Sequence, residues 1–143
     1  MSKIKFLIIL IPLFFLSCNK YTFTNKNQTT KDILNGFWDI IKIGDGQCSQ
    51  CAYIVFFPNQ KGAIYRGKWG QDEDVSQEFI WIVINSDNIK VKIISKDERG
   101  TLMRSGLYKV VYKERKFEGK TYLELQLQQD TDSWTILTLL RKI

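Results

Sequence analysis

The chain has 143 residues, of which 44% are hydrophobic and 13% aromatic, so one domain with a substantial core is expected. It carries 21 basic and 15 acidic side chains, and the basic ones are scattered singly, which argues against nucleic-acid binding. The sequence contains no histidine, the commonest general base and metal ligand. We therefore expect no catalytic residues, no metal and no cofactor.

The N-terminus has the features of a signal peptide. Two lysines precede an apolar run at residues 6–16, which is too short to cross a bilayer as a helix. The run ends in Phe15-Leu16-Ser17-Cys18, which resembles the lipobox of bacterial lipoproteins. The resemblance implies that residues 1–17 are removed and that Cys18 carries fatty acyl chains such as palmitate. The alternative is a secretory peptide cleaved nearby, which would leave Cys18 as a free thiol.

Residues 18–32 predict a flexible tether. They are rich in Asn, Thr, Lys and Gln and have no sustained apolar period. No acidic run follows Cys18, whereas such a run resembles the surface-export signal of Bacteroidota lipoproteins. We therefore expect a lipid-anchored protein of the cell envelope, on the periplasmic face of the outer membrane.

Residues 33–143 predict a single all-β domain. Eight segments alternate apolar and polar residues or are short and apolar, with turn residues between them. Eight strands with short links and no helical crossovers suggest an antiparallel up-and-down meander, and closure into a barrel removes its edges. Leu123, Leu125 and Leu127 then face the interior. The predicted strands are 36–43, 51–57, 62–69, 77–84, 88–95, 106–114, 121–128 and 134–142.

The first predicted strand opens with Gly36-Phe37-Trp38, and Arg141 lies near the end of the last strand. A Gly-x-Trp at this place resembles the opening motif of lipocalins and related calycin barrels. The domain is similar to the lipocalin-like domains of Bacteroidota lipoproteins. The resemblance implies that Trp38 packs across the closed end of the barrel against Arg141, and that any ligand binds at the opposite end.

Cys48 and Cys51 form a Cys-x-x-Cys pair in the loop before the second predicted strand. Such a pair can be a redox site, half of a zinc site, two free thiols or a disulfide. Zinc needs further ligands, and a redox pair belongs at a helix N-terminus. Because the expected compartment is oxidising, a structural disulfide is the favoured interpretation.

Asp72-Glu73-Asp74 is an acidic cluster between the third and fourth predicted strands. Oxygen clusters of this kind bind hard cations, but the spacing matches no known calcium loop. A solvated loop tip is therefore expected.

The open end of the barrel contains the candidate ligand site. The longest predicted connection, residues 96–105, lies there, and long loops often line binding sites. Trp69, Phe79 and Trp134 would provide apolar walls, while Arg99 and Arg104 would meet an anionic head group. Whether the interior holds a cavity or is filled by its own side chains is left open.

The predicted function is binding without catalysis: a membrane-anchored lipocalin-like lipoprotein that takes up a small apolar or amphipathic ligand. The alternative is an accessory subunit or inhibitor that binds another envelope protein through loops or a sheet face. An open cavity would favour the first, and a packed interior the second.

Overall fold

The computed structural model describes residues 29–68, 70–71, 74–129 and 137–143, so the predicted signal peptide and most of the tether lie outside it. In these ranges no helix is long and apolar enough to span a membrane. A short helix, α1 (Thr30–Leu34), precedes nine strands. The strands are β1 (Gly36–Ile43), β2 (Gly46–Gln47), β3 (Ala52–Phe56), β4 (Lys61–Arg66), β5 (Asp74–Asn85), β6 (Asn88–Lys96), β7 (Gly106–Phe117), β8 (Lys120–Gln128) and β9 (Leu137–Lys142).

Eight of these strands form a closed antiparallel barrel. Strands β1 and β3 to β9 pair with their neighbours in chain order, and β9 pairs with β1 to complete the ring. The short strand β2 pairs with the end of β1 and was not predicted. The predicted eight-stranded up-and-down barrel is therefore confirmed, and closure leaves few unpaired edges.

The barrel interior is occupied by large side chains. Leu123, Leu125 and Leu127 face inward and are fully buried, as the alternation in β8 predicted. Fully buried aromatic and sulfur-containing side chains belong to the same contiguous core. They are Trp38, Phe56, Phe79, Trp81, Met103 and Tyr108.

Helix α1 packs across one end of the barrel. Thr29 and Asp32 form a reciprocal capping box at its start, and Ile33 and Leu34 are buried in the core. The Thr30 hydroxyl donates to the carbonyl oxygen of Ser86, in the turn between β5 and β6. These contacts hold α1 against the end of the barrel.

Candidate functional site

The end of the barrel next to α1 is closed by Trp38 and Arg141. The Trp38 ring is buried, and the Arg141 guanidinium carbon lies 4.2 Å from its centroid. The guanidinium also donates to the carbonyl oxygens of Asn35 (2.7 Å) and Ile33 (3.0 Å), while the indole N–H donates to that of Leu34 (2.7 Å). These bonds satisfy carbonyls that the end of α1 leaves free. The predicted Trp38–Arg141 contact is confirmed.

Gly36 allows this contact to form. Its φ of +111° lies in a region that other residues rarely adopt, and a Cβ there would lie 3.3 Å from Nη1 of Arg141. The Gly-x-Trp motif therefore serves the packing of the closed end. Burial lowers the pKa of Arg141. The hydrogen bonds and the indole compensate the buried charge.

A disulfide lies at the opposite end, which we call the mouth. Cys48 and Cys51 are bonded, with Cα atoms 5.4 Å apart, so the favoured interpretation of the Cys-x-x-Cys pair is confirmed. Cys48 is buried in the core, and its N–H donates to the carbonyl of Ile41 at 2.9 Å. The Cys51 carbonyl accepts from the N–H of Gly67 at 2.7 Å. The pair thus joins the β1–β3 connection to the start of the barrel wall.

The connection between β6 and β7, residues 97–105, also lies at the mouth, and we call it the mouth loop. It includes a fully buried side chain, Met103. The buried side-chain amide of Gln77 both accepts hydrogen bonds from this part of the loop and donates one to it. Its Oε1 accepts from the N–H groups of Leu102 (2.6 Å) and Met103 (2.8 Å), and its Nε2 donates to the Met103 carbonyl (2.8 Å).

Gln77 was missed by the sequence reasoning. A β-bulge in β5, opposite Ile64 and Tyr65 of β4, leaves Ser76 without a direct partner on β4, and both Ser76 and Gln77 are buried there. A bulge depends on pairing between strands, so the sequence of β5 alone does not show that its glutamine is buried. The signal that could have indicated it is a polar residue at an inward position of a strand.

Further bonds hold the two ends of the mouth loop. The Tyr108 hydroxyl donates to the Arg104 carbonyl (2.8 Å) and accepts from the Arg104 N–H (3.1 Å), and burial raises the pKa of Tyr108. At the other end, Arg66 donates to the carbonyl oxygens of Arg99 and Gly100, at 3.2 and 3.3 Å. The mouth loop is therefore part of the packed structure.

Arg99 already has two carboxylate partners. Its guanidinium lies 2.7 Å from Asp97 and 3.4 Å from Asp74. Partial burial acts to raise the pKa of Asp97. The hydrogen bonds and charge of Arg99, together with the charge of Arg66, outweigh this effect, so the pKa of Asp97 is lowered. An anionic head group would have to compete with these carboxylates for Arg99.

Phe79, another predicted ligand residue, does not lie at the mouth. Phe79 is fully buried, is paired in register with Gly62, and contacts the Phe56 ring edge-on with centroids 5.5 Å apart. Phe56 pairs with Gly36, so this layer belongs to the closed half of the barrel. Trp69 and Trp134 lie outside the described residues. Ligand contacts at Arg99, Arg104, Trp69 and Trp134 stay predictions.

The outer wall of the barrel has a groove that the sequence reasoning did not find. Its volume is about 550 Å³, and it follows the outside of β4 and β5. Exposed or half-buried apolar side chains form much of its lining, together with the polar groups of Asn59, Lys61 and Glu78. These exposed or half-buried side chains are Phe57, Tyr65, Val75 and Ile94, and the buried residues Ala63 and Phe79, the latter a predicted ligand residue, complete the apolar lining.

Small residues on β4 leave room for this groove. Only glycine fits at position 62, because the Phe79 ring occupies the space that a Cβ would need. Ala63 is buried but lies outside the central core, on the outward side of the strand. Tyr65 stacks on Tyr53 with centroids 4.7 Å apart and ring planes within 5°. The groove wall at Tyr65 is therefore supported by a second ring.

The groove has the chemistry of a small-ligand site, with a concave apolar lining and a few polar groups. Glu78 accepts from the Ser95 hydroxyl at 2.7 Å, which fixes one carboxylate at its rim. Within the described residues, no three His, Cys, Asp or Glu side chains are grouped so that they could hold a metal ion. Asp72 and Glu73 lie outside that part of the chain. The lining of the groove therefore combines an apolar wall with polar groups at its rim.

We expect Gln77→Leu to release the mouth loop. The change leaves the buried N–H groups of Leu102 and Met103 without an acceptor, which costs about 2–3 kcal/mol of stability. Hydrogen exchange should become faster at these two amides before the rest of the barrel is affected. Gln128→Leu is the control, because in the described structure the Gln128 side chain donates only to another side chain, that of Gln126. Unchanged exchange at Leu102 would contradict the assigned role.

No protein-family model matches the chain, and no curated protein sequence matches it significantly. The barrel, its mouth loop and the outer groove are therefore the grounds on which a function is assigned.

Proposed function

We propose that this chain is a lipid-anchored, non-enzymatic, lipocalin-like protein of the bacterial cell envelope, held by Cys18 at the periplasmic face of the outer membrane. In this proposal it binds a small apolar or amphipathic molecule on the outside of the barrel. The observation that carries the proposal is the apolar groove of about 550 Å³ on β4 and β5. Volumes of this size are typical of small-molecule sites.

The large buried side chains of the described interior favour a protein partner over a ligand inside the barrel, and the outer groove is the reason that a small ligand is still proposed first. Trp81, Tyr108 and Met103 are fully buried in the interior of the described part of the barrel. A ligand entering by the mouth would have to displace Met103 and break three hydrogen bonds of Gln77. The groove requires no such displacement, because Phe57, Val75 and Ile94 are already exposed.

The groove suits a molecule with a short apolar chain and a polar head. Phe57, Tyr65 and Val75 would remove the chain from water, which is favourable in proportion to the apolar area buried. Lys61 and Glu78 would contact the head group through charge and hydrogen bonds. Medium-chain fatty acids and related amphiphiles have this chemistry, so laurate is a suitable probe.

Ile94→Glu should weaken laurate binding. The change places a carboxylate in the lining of the groove, where it meets the apolar chain, and we expect at least about a tenfold loss of affinity, about 1.4 kcal/mol. Ile94 is highly exposed, so folding should be unaffected. The measurement is titration calorimetry, with native mass spectrometry of the purified protein to detect a ligand that copurifies.

Leu107→Glu is the matched control, since Leu107 is an exposed apolar residue that does not line the groove. Two results would indicate that laurate binds at the mouth and not in the groove. One is an equal loss of laurate affinity in Ile94→Glu and Leu107→Glu, and the other is a higher laurate affinity in Gln77→Leu. Detection of no ligand would favour the alternative of a protein partner. For that partner, residues 111–117 of β7 offer an edge that, among the described strands, pairs only with β8.

A further inference from the structure

The outward side of β5 is apolar where a solvent-facing strand is expected to be polar. Ile80, Ile82 and Ile84 alternate with inward residues and are 38%, 43% and 51% exposed. The outward residues of β8, by contrast, are polar, as in Gln126 and Gln128. Three isoleucines in one exposed row extend over about 13 Å and would be removed from water by a suitable surface.

Lysines lie on both sides of this row. In the sheet register Lys92 is opposite Ile80 and Lys90 is opposite Ile82 on β6, while Lys61 is opposite Ile80 on β4. Side chains directly opposite each other lie about 5 Å apart. All three lysines are exposed. We call the three isoleucines and these three lysines the Ile–Lys face. Its apolar centre and basic borders complement a surface that has an apolar interior beneath an anionic outer layer.

The described part of the chain begins beside this face. The Thr30 hydroxyl donates to the carbonyl of Ser86, in the turn that follows Ile84 and ends the same hairpin. Ten residues separate Thr29 from Cys18. If these residues form the flexible tether that their composition predicts, they span about 20 Å, which is enough to bring this hairpin to the membrane that holds the acyl chains.

We propose that the Ile–Lys face lies on a bilayer that contains anionic lipid. The isoleucines would enter the boundary between head groups and acyl chains, and the lysines would contact the phosphates. Glu78, the nearest outward carboxylate on β5, is bonded to Ser95. This orientation rests on the proposed anchor at Cys18, which holds the face near the lipid.

The test is amine acetylation of the acylated full-length protein in vesicles of phosphatidylglycerol and phosphatidylcholine, compared with phosphatidylcholine alone. Lys61, Lys90 and Lys92 should react about fivefold more slowly in the anionic vesicles, a factor set by the usual attraction of one basic residue to anionic lipid. Lys42 on β1 and Lys142 on β9 are exposed on the opposite wall of the ring and serve as internal controls.

Equal acetylation rates for the two sets of lysines would overturn the proposal. Protection that rises with protein density at constant lipid would also overturn it, because a second copy of the chain would then cover the face. Ile82→Ser, at an exposed position, should remove the protection without lowering the melting temperature. Sedimentation with vesicles reports the anchor separately. If the chain is not acylated, the same lysines should still be protected at higher vesicle concentration, so failure of the anchor and failure of the face give different results.

Discussion

Trp38→Ala is expected to lower the free energy of unfolding by about 3–5 kcal/mol, as other truncations of large buried side chains do. The change empties the space between α1 and the barrel, removes the surface on which Arg141 lies, and leaves the Leu34 carbonyl without its indole donor. Cation–π contact with a desolvated guanidinium adds to the loss. Chemical denaturation followed by circular dichroism measures the effect.

Trp38→Phe separates the contributions to this effect. It keeps most of the buried ring but removes the indole N–H, so we expect a loss of about 1–3 kcal/mol from the unsatisfied carbonyl together with the smaller ring. This variant also yields a value if Trp38→Ala does not fold, since the larger loss is comparable with the whole stability of many domains. Unchanged unfolding of both variants would refute the role assigned to the closed end.

Cys18→Ala is expected to abolish fatty-acid incorporation. In a lipoprotein the thiol of this cysteine is the acyl acceptor, and alanine has no nucleophile to replace it. One acyl chain gives only reversible membrane binding, whereas two or more hold a protein firmly, so the difference in membrane partition should be large. Metabolic labelling with an alkyne-bearing fatty acid, followed by fluorophore coupling, measures it.

A second variant reports the anchor itself. Residues 19–143 placed behind a cleavable secretory signal should be released into the soluble periplasmic fraction after a high-salt wash, which removes the charge contacts of the Ile–Lys face. Cys48→Ser/Cys51→Ser, which removes the other two cysteines, should keep the acyl label. Labelling of Cys18→Ala at the wild-type level would exclude lipidation of Cys18.

Local patterns were enough to predict the barrel. Alternation in segments such as Leu123-Glu124-Leu125 determines which side chains face the core, because successive strand residues point to opposite sides. Short turns between such segments favour neighbouring antiparallel strands, and closure of the ring follows from the need to pair the edges. The Cys48–Cys51 bond was also predicted, because the expected compartment is oxidising and the other interpretations of the pair lacked ligands or a helix.

The sequence by itself thus determined the strand order and the inward rows, while the resemblance of Gly36-Phe37-Trp38 to the lipocalin motif implied the contact of Trp38 with Arg141. Tertiary structure alone decided what occupies the mouth and the outer wall. Gln77 is buried because a bulge between two strands places it under the mouth loop, 25 residues away in the chain. The groove and the Ile–Lys face depend on which residues of separate strands lie side by side. Such register is set by packing and hydrogen bonding across the whole barrel, which no single segment records.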